Sequence, residues 1–225
     1  MKETPRKIII CCTSPYAKLM HHFFSTDTDM EVVAFTVDQD YITDETFCGL
    51  PVLPFETIEQ SMPTENHGMF VAMGYRSMRN RKVMYDRAKK KGYTLVNFIH
   101  SQAVVSSDLK IGDNNAILQN CSIEPFTEFG SNNVIWSSTT VGNNSSIGDH
   151  NYVSGYCALA SELGIGDLCF IAIASAVIDG LTLCDETQLV PGSIVYKDTL
   201  VPGIYKGNPA KLLKKLGDKG IRIRR

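Results

Sequence analysis

Histidine is the side chain best suited to moving protons near neutral pH, and this chain contains five of them. His21 and His22 fall within a predicted helix, and His67 falls in a loop without a visible partner. We interpret His21 and His22 as surface or packing residues. His100 lies at the start of a repetitive region and is predicted to be structural, whereas His150 lies well inside that region and is retained as a catalytic candidate.

The repetitive region runs from Ile99 to Val201 and has a period of six residues. A six-residue period fits neither a helix nor a simple alternating strand, and it is typical of a parallel β-helix. With three hexads per turn, it predicts a triangular prism of five to six coils whose axis is filled by one hydrophobic column. The eighteen members of that column are Ile99, Val105, Ile111, Ile117, Ile123, Phe129, Ile135, Val141, Ile147, Val153, Leu159, Ile165, Ile171, Val177, Leu183, Leu189, Val195 and Val201.

Two other positions of the hexad carry small residues. Two residues before the column, the side chains are mostly short: Cys121, Thr127, Asn133, Thr139, Ser145, Asn151, Cys157, Cys169, Ser175, Thr187 and Ser193. One residue after it, glycine is frequent: Gly112, Gly130, Gly142, Gly148 and Gly166. We expect the short side chains, three of which are cysteines, to be buried where two faces meet. The glycines are expected to allow unusual backbone angles at the corners.

Residues 1–98 have a different pattern, in which apolar runs alternate with helical segments. This alternation predicts a small parallel α/β domain. The predicted strands are 7–12, 31–37, 69–73 and 94–98, with a small strand or turn at 51–54, and the predicted helices are 16–24, 55–60 and 80–91. The predicted domains are therefore residues 1–98, the prism at 99–203, and a basic C-terminal segment at 204–225.

In parallel α/β sheets, ligands bind at the carboxyl ends of the strands. The residues that follow the predicted strands, and that we expect to bind a substrate, are Thr13, Ser14, Pro15, Asp38, Gly74 and Arg76. The glycine-rich fingerprint of dinucleotide-binding folds is missing, since no glycine occurs between Lys7 and Phe24. A helix amino terminus can bind phosphate without glycines, so nucleotide binding is favoured, with a non-binding scaffold as the alternative.

Composition argues against several classes of protein. The formal net charge of −2 lacks the signature of a nucleic-acid partner. No apolar run approaches the about 18 residues of a membrane span, and Pro15 and Lys18 interrupt any signal-peptide profile near the start. Seven cysteines without a C-x-x-C pair indicate reduced thiols rather than metal ligands or disulfides. A cytoplasmic protein without a metal site is expected.

The end of the repeats carries the last distinctive motif, Gly207-Asn208-Pro209-Ala210-Lys211, within a segment rich in lysine and arginine that ends at Arg224 and Arg225. A small α/β domain, hexapeptide repeats opened by N-F-I-H-S-Q-A, and G-N-P-A-K together resemble the bacterial sialic-acid O-acetyltransferase and bacillosamine N-acetyltransferase type. The resemblance covers about residues 5–215. It implies a left-handed β-helix, a homotrimer with sites between subunits, acetyl-CoA as co-substrate, and a nucleotide-linked amino sugar held by a Rossmann-like domain.

The chain departs from this family at the expected catalytic position. The family usually has a histidine two residues after a column residue, often followed by an acid, and the matching residues here are Asn143 and Asn144. Asparagine cannot accept a proton at physiological pH. The open alternatives are a reaction without a protein base, another group such as His150, or a catalytically inactive chain.

By resemblance, the acetyl-CoA groove is lined by Ser161, Ala174, Ser175 and Gly192 on one side of the prism. Lys197, Pro209 and Lys211 are expected near the nucleotide end of the cofactor. Small residues are also what the repeat requires at such positions, so mere prism wall is the alternative.

Loss of the histidine favours an amine acceptor over a hydroxyl. A sugar amine titrates near the α-amino value of about 8, so part of it is neutral and nucleophilic at pH 7, whereas a hydroxyl generally needs an adjacent base. The predicted function is therefore acetyl-CoA-dependent N-acetylation of a nucleotide-linked amino-deoxysugar for bacterial surface glycans. Asn143 would orient the amine, and backbone amides of the groove would stabilise the oxyanion. The alternatives are a sugar O-acyltransferase and a non-catalytic trimeric sugar-nucleotide-binding homologue.

Overall fold

The computed structural model describes residues 5–223, so Arg224, Arg225 and residues 1–4 lie outside it. The described chain forms two compact units. One unit comprises the residues up to Gly74 together with Val83–Asn97, and the other comprises Tyr75–Lys82 together with the residues from Phe98 onward.

The first unit is built on a sheet of six strands: β1 (Lys7–Cys11), β2 (Glu31–Val37), β3 (Thr46–Phe47), β4 (Leu50–Pro54), β5 (His67–Val71) and β6 (Thr94–Leu95). Their spatial order is β3-β4-β2-β1-β5-β6, and every neighbouring pair is parallel except the β3–β4 hairpin. The predicted alternation of strands and helices is confirmed. Because β1 lies between β2 and β5, the carboxyl ends of these three strands meet at one edge.

The helices are α1 (Pro15–Asp27), α2 (Ile58–Ser61) and α3 (Met78–Lys90), with 3₁₀ turns at Gln39–Tyr41 and Phe55–Thr57. Helix α1 begins as its sequence predicts, since Ser14 accepts a hydrogen bond from the backbone N of Ala17 and Pro15 occupies the first turn. Residues of α3 are divided between the two units. No helix within residues 5–223 is both long enough and apolar enough to cross a membrane.

The second unit is a parallel β-helix of short strands in three stacks. The first stack contains Phe98–Ile99, Ala116–Ile117, Val134–Ile135, Tyr152–Val153, Phe170–Ile171, Thr187–Leu189 and Gly203–Gly207, with Ala210–Lys215 antiparallel at its end. The second contains Val104–Val105, Ser122–Ile123, Thr140–Val141, Ala158–Leu159, Ala176–Val177 and Ile194–Val195. The third contains Lys110–Ile111, Glu128–Phe129, Ser146–Ile147, Gly164–Ile165 and Thr182–Leu183. Partners in each stack are eighteen residues apart, as three hexads per turn predict, except that Thr187–Leu189 pairs with residues sixteen positions later in Gly203–Gly207.

The predicted hydrophobic column fills the axis of this β-helix. Its members from Ile117 to Val195 are all at most 5% exposed. Ile99, Val105 and Ile111 are more accessible because they belong to the first coil, which has a neighbouring coil on only one side. The short side chains two residues before the column are buried as well. The parallel β-helix is therefore confirmed with the predicted register up to Val195. The prediction for Val201 is wrong, because Val201 lies outside the strands and Tyr205 pairs with Leu189 and packs in the core instead.

Asparagines inside one edge of the prism add hydrogen bonds to this packing. The side-chain Oδ1 of Asn115 accepts from the backbone N of Asn133, that of Asn133 accepts from Asn151, and that of Asn151 accepts from Cys169, at 2.7–2.9 Å. Each amide thereby ties one coil to the next. Buried amides that bond to the backbone disfavour a shifted register, because a shift would leave them unpaired.

The three turns of each coil define three corners. The Asn143 corner comprises 106–109, 124–127, 142–145, 160–163, 178–181 and 196–199. The His150 corner comprises 112–115, 130–133, 148–151, 166–169 and 184–186. The Ala174 corner comprises 100–103, 118–121, 136–139, 154–157, 172–175 and 190–193.

The expected role of the repeat glycines is wrong. Positive φ angles occur three residues after the column, where Asn132, Asn144 and His150 have φ of 55–63°. The glycines one residue after the column are needed for space instead. A Cβ on Gly142 would approach the backbone of the next coil to 2.6 Å, at the carbonyl carbon of Ala160. Close stacking of the coils, rather than backbone strain, therefore selects glycine there.

The three prism cysteines that were predicted to be core residues are buried free thiols. Cys121, Cys157 and Cys169 are at most 2% exposed. Burial raises the pKa of Cys157 to about 11 and raises the pKa of Cys169 further. Thiols with such raised pKa values remain protonated at neutral pH and act as small apolar core residues.

Candidate active site

Asn143 and Asn144 lie together in the turn that follows strand Thr140–Val141. Asn144 has a φ of 55°, and its backbone N donates to the carbonyl of Pro125 at 3.2 Å. The side-chain Nδ2 of Asn144 donates to Oδ1 of Asn143 at 2.6 Å. This hydrogen bond orients the Asn143 amide and leaves one lone pair of its Oδ1 for another donor.

Glu124 is the charged partner of Asn143. Its Oε2 accepts from the backbone N of Asn143 at 3.0 Å and from the side-chain Nδ2 at 3.1 Å. We did not predict this residue, although the eighteen-residue coil contains the signal for it. Gly142 follows Glu124 by one full coil, so Glu124 lies one residue out of register with Asn143 on the adjacent coil.

Ser161 is the third side chain at this position and lies one coil after Asn143. Its Oγ accepts from Nδ2 of Asn143 at 3.2 Å, while its backbone N donates to Oδ1 of Asp179 at 3.0 Å. A Cβ on Gly142 would come within 2.7 Å of this Oγ, so glycine is required for Ser161 to approach. The Ser161 hydroxyl proton is left to donate to a bound group.

Backbone amides around Asn143 are already engaged. The N–H donors and their acceptors are Gly142 to Leu159 O, Asn144 to Pro125 O, Ala160 to Val177 O and Glu162 to Asn143 O, at 2.8–3.2 Å. The amides of Asn143 and Ser161 are also used, as described above. Backbone amides at this corner therefore do not provide the expected oxyanion donors, because the stacked coils use them. The Ser161 hydroxyl is the donor that remains, because both N–H bonds of the Asn143 side chain are engaged by Glu124 and Ser161.

His150 lies on a different corner from Asn143 and is only 4% exposed. Its Nδ1 accepts a hydrogen bond from Nδ2 of Asn132 at 2.9 Å. Asn132 in turn accepts from Nδ2 of Asn114 at 2.8 Å, and its carbonyl accepts from Nη2 of the buried Arg81 at 2.7 Å. The structure thus separates this catalytic candidate from the other two. His150 is built into a buried polar ladder.

The predicted cofactor residues are distributed over two corners and the C-terminal hairpin. Ala174 and Gly192 are stacked on the Ala174 corner with φ of 57° and 70°. Ser175 is 1% exposed and its Oγ donates to the carbonyl of Val190 at 3.3 Å, so its side chain faces the interior. Ser161 lies on the Asn143 corner, and the stack that contains Ala158–Leu159 and Ala176–Val177 joins the two corners, so these residues border one face of the prism.

Three predicted cofactor residues lie near the carboxyl end of the prism. Lys197 is exposed on the Asn143 corner. Pro209 follows a cis peptide bond in the hairpin between strands Gly203–Gly207 and Ala210–Lys215, and Lys211 lies opposite Lys206 across that hairpin. The predicted basic segment is therefore an ordered cap on the first stack, with exposed lysines along it.

In the first unit, the loop after β1 holds Thr13, Ser14 and Pro15. Cys12 at its start has a φ of 112°, a conformation that glycine adopts more readily, and its backbone N donates to the carbonyl of Thr36 at 2.8 Å. The tight turn that glycine usually provides is therefore formed by a cysteine in a left-handed conformation. The Ser14 hydroxyl already accepts from the first turn of α1.

Asp38 follows β2 and is held by an arginine that we did not predict. Its two carboxylate oxygens accept from Nη1 and Nη2 of Arg87 at 2.9 and 2.7 Å. Those hydrogen bonds raise the pKa of the Arg87 guanidinium, which also lies 4.7 Å from the ring centroid of Phe55. Asp38 and Arg87 are separated by 49 residues with no repeat between them, so the sequence contained no signal for the pair.

A cavity of about 160 Å³ lies beside Thr13 in the first unit. Its other lining residues are Tyr41, Thr43, Asp44, Thr46, Phe47 and Val52. The remaining predicted substrate residues are not among them. Gly74 is the last residue of the first segment of this unit, and Arg76 belongs to the second unit, where its carbonyl accepts from the backbone N of Ile223 at 3.2 Å.

The α/β unit and the parallel β-helix together define a class of fold that other solved structures share. No family model matches the chain. Among residues 5–223, no group of three or more His, Cys, Asp or Glu side chains is arranged to hold a metal ion.

Three solved structures resemble nearly the whole chain. A histidine-to-asparagine mutant of perosamine N-acetyltransferase from Caulobacter crescentus, in complex with CoA and GDP-perosamine, has a TM-score of 0.83 at 24% identity, covering 94% of this chain and 97% of that one. The acetyltransferase domain of PglB from Neisseria gonorrhoeae FA1090, in complex with acetyl coenzyme A, has a TM-score of 0.85 at 20% identity, covering 93% and 100%. WeeI from Acinetobacter baumannii AYE has a TM-score of 0.71 at 20% identity, covering 92% and 99%. At these identities, the likeness establishes the shared fold.

Proposed function

We propose that this chain is an acetyl-CoA-dependent N-acetyltransferase that acts on the amino group of a nucleotide-linked amino-deoxysugar for bacterial surface glycans. The shared fold supports the reaction class, since its neighbours were solved with CoA, acetyl coenzyme A and GDP-perosamine. The acceptor class rests on one observation. The Asn143 corner presents an amide, a carboxylate and a hydroxyl, and no residue of this corner is a histidine.

An amine acceptor suits this arrangement better than a hydroxyl. A sugar amine with a pKa near about 8 is partly neutral at pH 7 and needs orientation more than deprotonation. The free lone pair of Asn143 Oδ1 accepts one N–H of the amine, while Asn144 holds the amide in place. His150 has no part in this reaction, because its Nδ1 already accepts a hydrogen bond inside the prism.

In the proposed reaction, the amine nitrogen attacks the thioester carbonyl carbon of acetyl-CoA. The carbonyl oxygen becomes an oxyanion that accepts from the Ser161 hydroxyl. The C–N bond forms, the C–S bond breaks, and the departing thiolate of CoA takes the proton that the amine loses. Atoms and charges balance without a protein base.

We assign a different role to each part of the chain. We assign residues 1–98 to a Rossmann-like domain that binds the nucleotide, with the diphosphate near Thr13–Pro15 and the base or ribose near Asp38 and Gly74. The cavity beside Thr13 and the fixed Asp38–Arg87 pair support a site at this edge of the sheet. We assign residues 99–203 to a left-handed β-helix acyltransferase domain and residues 204–225 to its basic C-terminal segment.

Acetyl-CoA would lie in a groove between prisms of a homotrimer. Backbone groups of Ala174, Ser175 and Gly192 from one copy would complete the groove that Ser161 opens on another, with Lys197, Pro209 and Lys211 near the cofactor's nucleotide. Apolar side chains are exposed on the Asn143 corner and on the Ala174 corner, for example Phe126 and Tyr156, which are each 69% exposed. Their exposure supports association of the prisms. A cytoplasmic location is proposed, because acetyl-CoA and nucleotide sugars are made there.

The test is thiol release from acetyl-CoA with a panel of nucleotide amino sugars, namely GDP-perosamine and UDP- and dTDP-linked amino-deoxysugars. Calorimetry with GDP, UDP and dTDP measures the nucleotide site separately. Turnover of amines but not of the matched hydroxyl sugars supports the proposal. Turnover of hydroxyl sugars alone would identify an O-acyltransferase. Nucleotide binding without any thiol release would identify a non-catalytic homologue.

A further inference from the structure

Only one of the two carboxylate oxygens of Glu124 accepts hydrogen bonds from the described residues. Its Oε2 accepts both N–H groups of Asn143, whereas its Oε1 accepts no hydrogen bond from any described residue. The side chain is exposed, and no lysine, arginine or histidine in residues 5–223 forms an ion pair with it. An anionic oxygen is therefore available beside the amide that orients the acceptor.

Most charged side chains on the same corner as Glu124 are acidic, so its negative charge is not balanced by nearby basic residues. Asp108 lies one coil earlier on the same corner, with its carboxylate engaged by Ser106 and by the backbone N of Phe126. Glu162 and Asp179 lie one and two coils after Asn143, and Lys197 is the basic residue of this corner at its far end. Such a surface favours a cation over a neutral group at the same position.

We propose that Glu124 is a specificity-determining residue that binds the substrate amino group in its ammonium form and so selects amino sugars over their hydroxyl counterparts. The proposal rests on the proposed N-acetyltransferase function. An ammonium group offers three donors, which can engage both the Glu124 carboxylate and the free lone pair of Asn143 Oδ1. A sugar hydroxyl offers one donor and no charge, so it gains less from the same carboxylate.

The proton balance follows from this capture. The ammonium loses one proton to solvent water at the exposed corner, which gives the neutral amine. After the amine attacks the thioester, its second proton goes to the CoA thiolate. The net change is ammonium plus acetyl-CoA to acetamide, CoA thiol and one proton. Glu124 holds the cation and then the amine, and it is unchanged at the end.

The test compares Glu124→Gln with wild type across pH. Glutamine keeps an acceptor oxygen for the Asn143 N–H groups and removes only the charge. We expect KM for the amino-sugar nucleotide to rise about ten-fold at about pH 6.5, where the amine is protonated, because a charge-assisted hydrogen bond becomes a neutral one. At about pH 9, where the amine is neutral, the difference should fall below about two-fold. The kcat should change little.

The matched control is Glu128→Gln, which removes the same charge from the same coil. Glu128 pairs with Lys110 at 2.6 Å and does not contact Asn143, so its KM should follow wild type at every pH. Equal thermal stability of the three proteins would exclude a merely structural effect. Unchanged KM and an unchanged pH profile in Glu124→Gln would overturn the role of Glu124 and leave the N-acetyltransferase function standing.

A binding measurement distinguishes a failure of the Glu124 proposal from a failure of the proposed acetyltransferase function. Calorimetry at about pH 6.5 compares each GDP-, UDP- and dTDP-linked amino sugar with the sugar that differs from it only by a hydroxyl in place of the amine. We expect wild type to prefer the amine member of a pair and Glu124→Gln to lose that preference. Preferential binding without turnover would refute the acetyltransferase but support Glu124. No preference in wild type for any pair would refute Glu124.

Discussion

Two corners of the β-helix carry the residues that the sequence analysis proposed for catalysis. Each corner has an asparagine amide at its centre, but the two amides have different neighbours and different exposure to solvent. On the Asn143 corner, the amide of Asn143 joins an exposed carboxylate to a hydroxyl. On the His150 corner, the amide of Asn132 joins a buried imidazole to Asn114. Both are ladders of polar groups stacked at one coil spacing, but one is open to solvent and the other is closed.

The difference shows that residue type is a poor guide to reactivity in a repeat fold. Histidine would be the usual proton acceptor, yet His150 is 4% exposed and its Nδ1 is occupied. Asparagine would be the usual structural residue, yet Asn143 lies where a substrate can reach it. Solvent access and unused lone pairs, which depend on the neighbouring coils, decide which corner can bind a ligand.

The largest effect is expected from Ile147→Asp, in the strand that connects the two corners. Ile147 is 1% exposed in the axial column, so aspartate would bury an unpaired charge and prevent folding. Ser146→Asp is the control, because Ser146 precedes it on the exposed outer face. Circular dichroism and size-exclusion chromatography measure the outcome. A soluble, thermally unchanged Ile147→Asp protein would refute the register of both corners.

His150→Ala should lower the melting temperature and leave the rate of thiol release unchanged. The substitution leaves Nδ2 of Asn132 without its imidazole acceptor in a buried site, at a cost of about 1–3 kcal/mol. His150→Asn should recover part of the loss, since asparagine tolerates the positive φ and continues the ladder from Asn114 and Asn132. Thermal melts and thiol release measure the two properties. A stable His150→Ala protein that cannot turn over would identify His150 as the base.

Asn143→Ala should slow turnover and leave the melting temperature nearly unchanged, which is the reverse of the effect expected for His150→Ala. Loss of one orienting hydrogen bond should slow turnover about ten- to hundred-fold, whereas removal of a general base would cost about 10²–10⁴-fold. The melting temperature should change little because Asn143 is partly exposed and its backbone hydrogen bonds remain. Rates at saturating substrate, with His150→Ala as the comparison variant, give the contrast between corners. A rate equal to wild type would remove Asn143 from the site.

The smallest effect concerns acid stability at Asp108 on the Asn143 corner. Hydrogen bonds from the Ser106 hydroxyl and the Phe126 backbone N–H lower the pKa of Asp108. A lowered pKa stabilises the fold above the unfolded pKa of about 3.9, and this contribution is lost as pH falls through the folded value. Asp108→Asn should therefore melt slightly below wild type at pH 7, and the difference should shrink as pH falls below the unfolded value of about 3.9. A difference that grows in acid would contradict this.

Local patterns predicted most of the fold. The hexad predicted the axial column, the three strands per coil and the burial of the short side chains, because each depends on neighbours at a constant spacing. The glycine position was also evident, but its reason was wrong. Only the packed coils show that a Cβ on Gly142 would strike the next coil while Asn144 adopts the positive φ.

The candidate site was predicted less completely than the fold. Asn143, Asn144 and Ser161 were named from the sequence and are in contact, although their roles remain proposals. Glu124 and Arg87 were not named. Glu124 could have been found by counting one coil back from Gly142, whereas Arg87 meets Asp38 through a helix with no repeat to count.

The sequence by itself determined the periodic part of this protein: the β-helix, its register, its buried thiols and the alternating strands and helices before it. These follow from side-chain volume and polarity at regular intervals. Only the tertiary structure decided which polar groups are open. It placed His150 inside a ladder and Glu124 at the surface beside Asn143, because burial and hydrogen-bond partners come from coils that are distant in sequence.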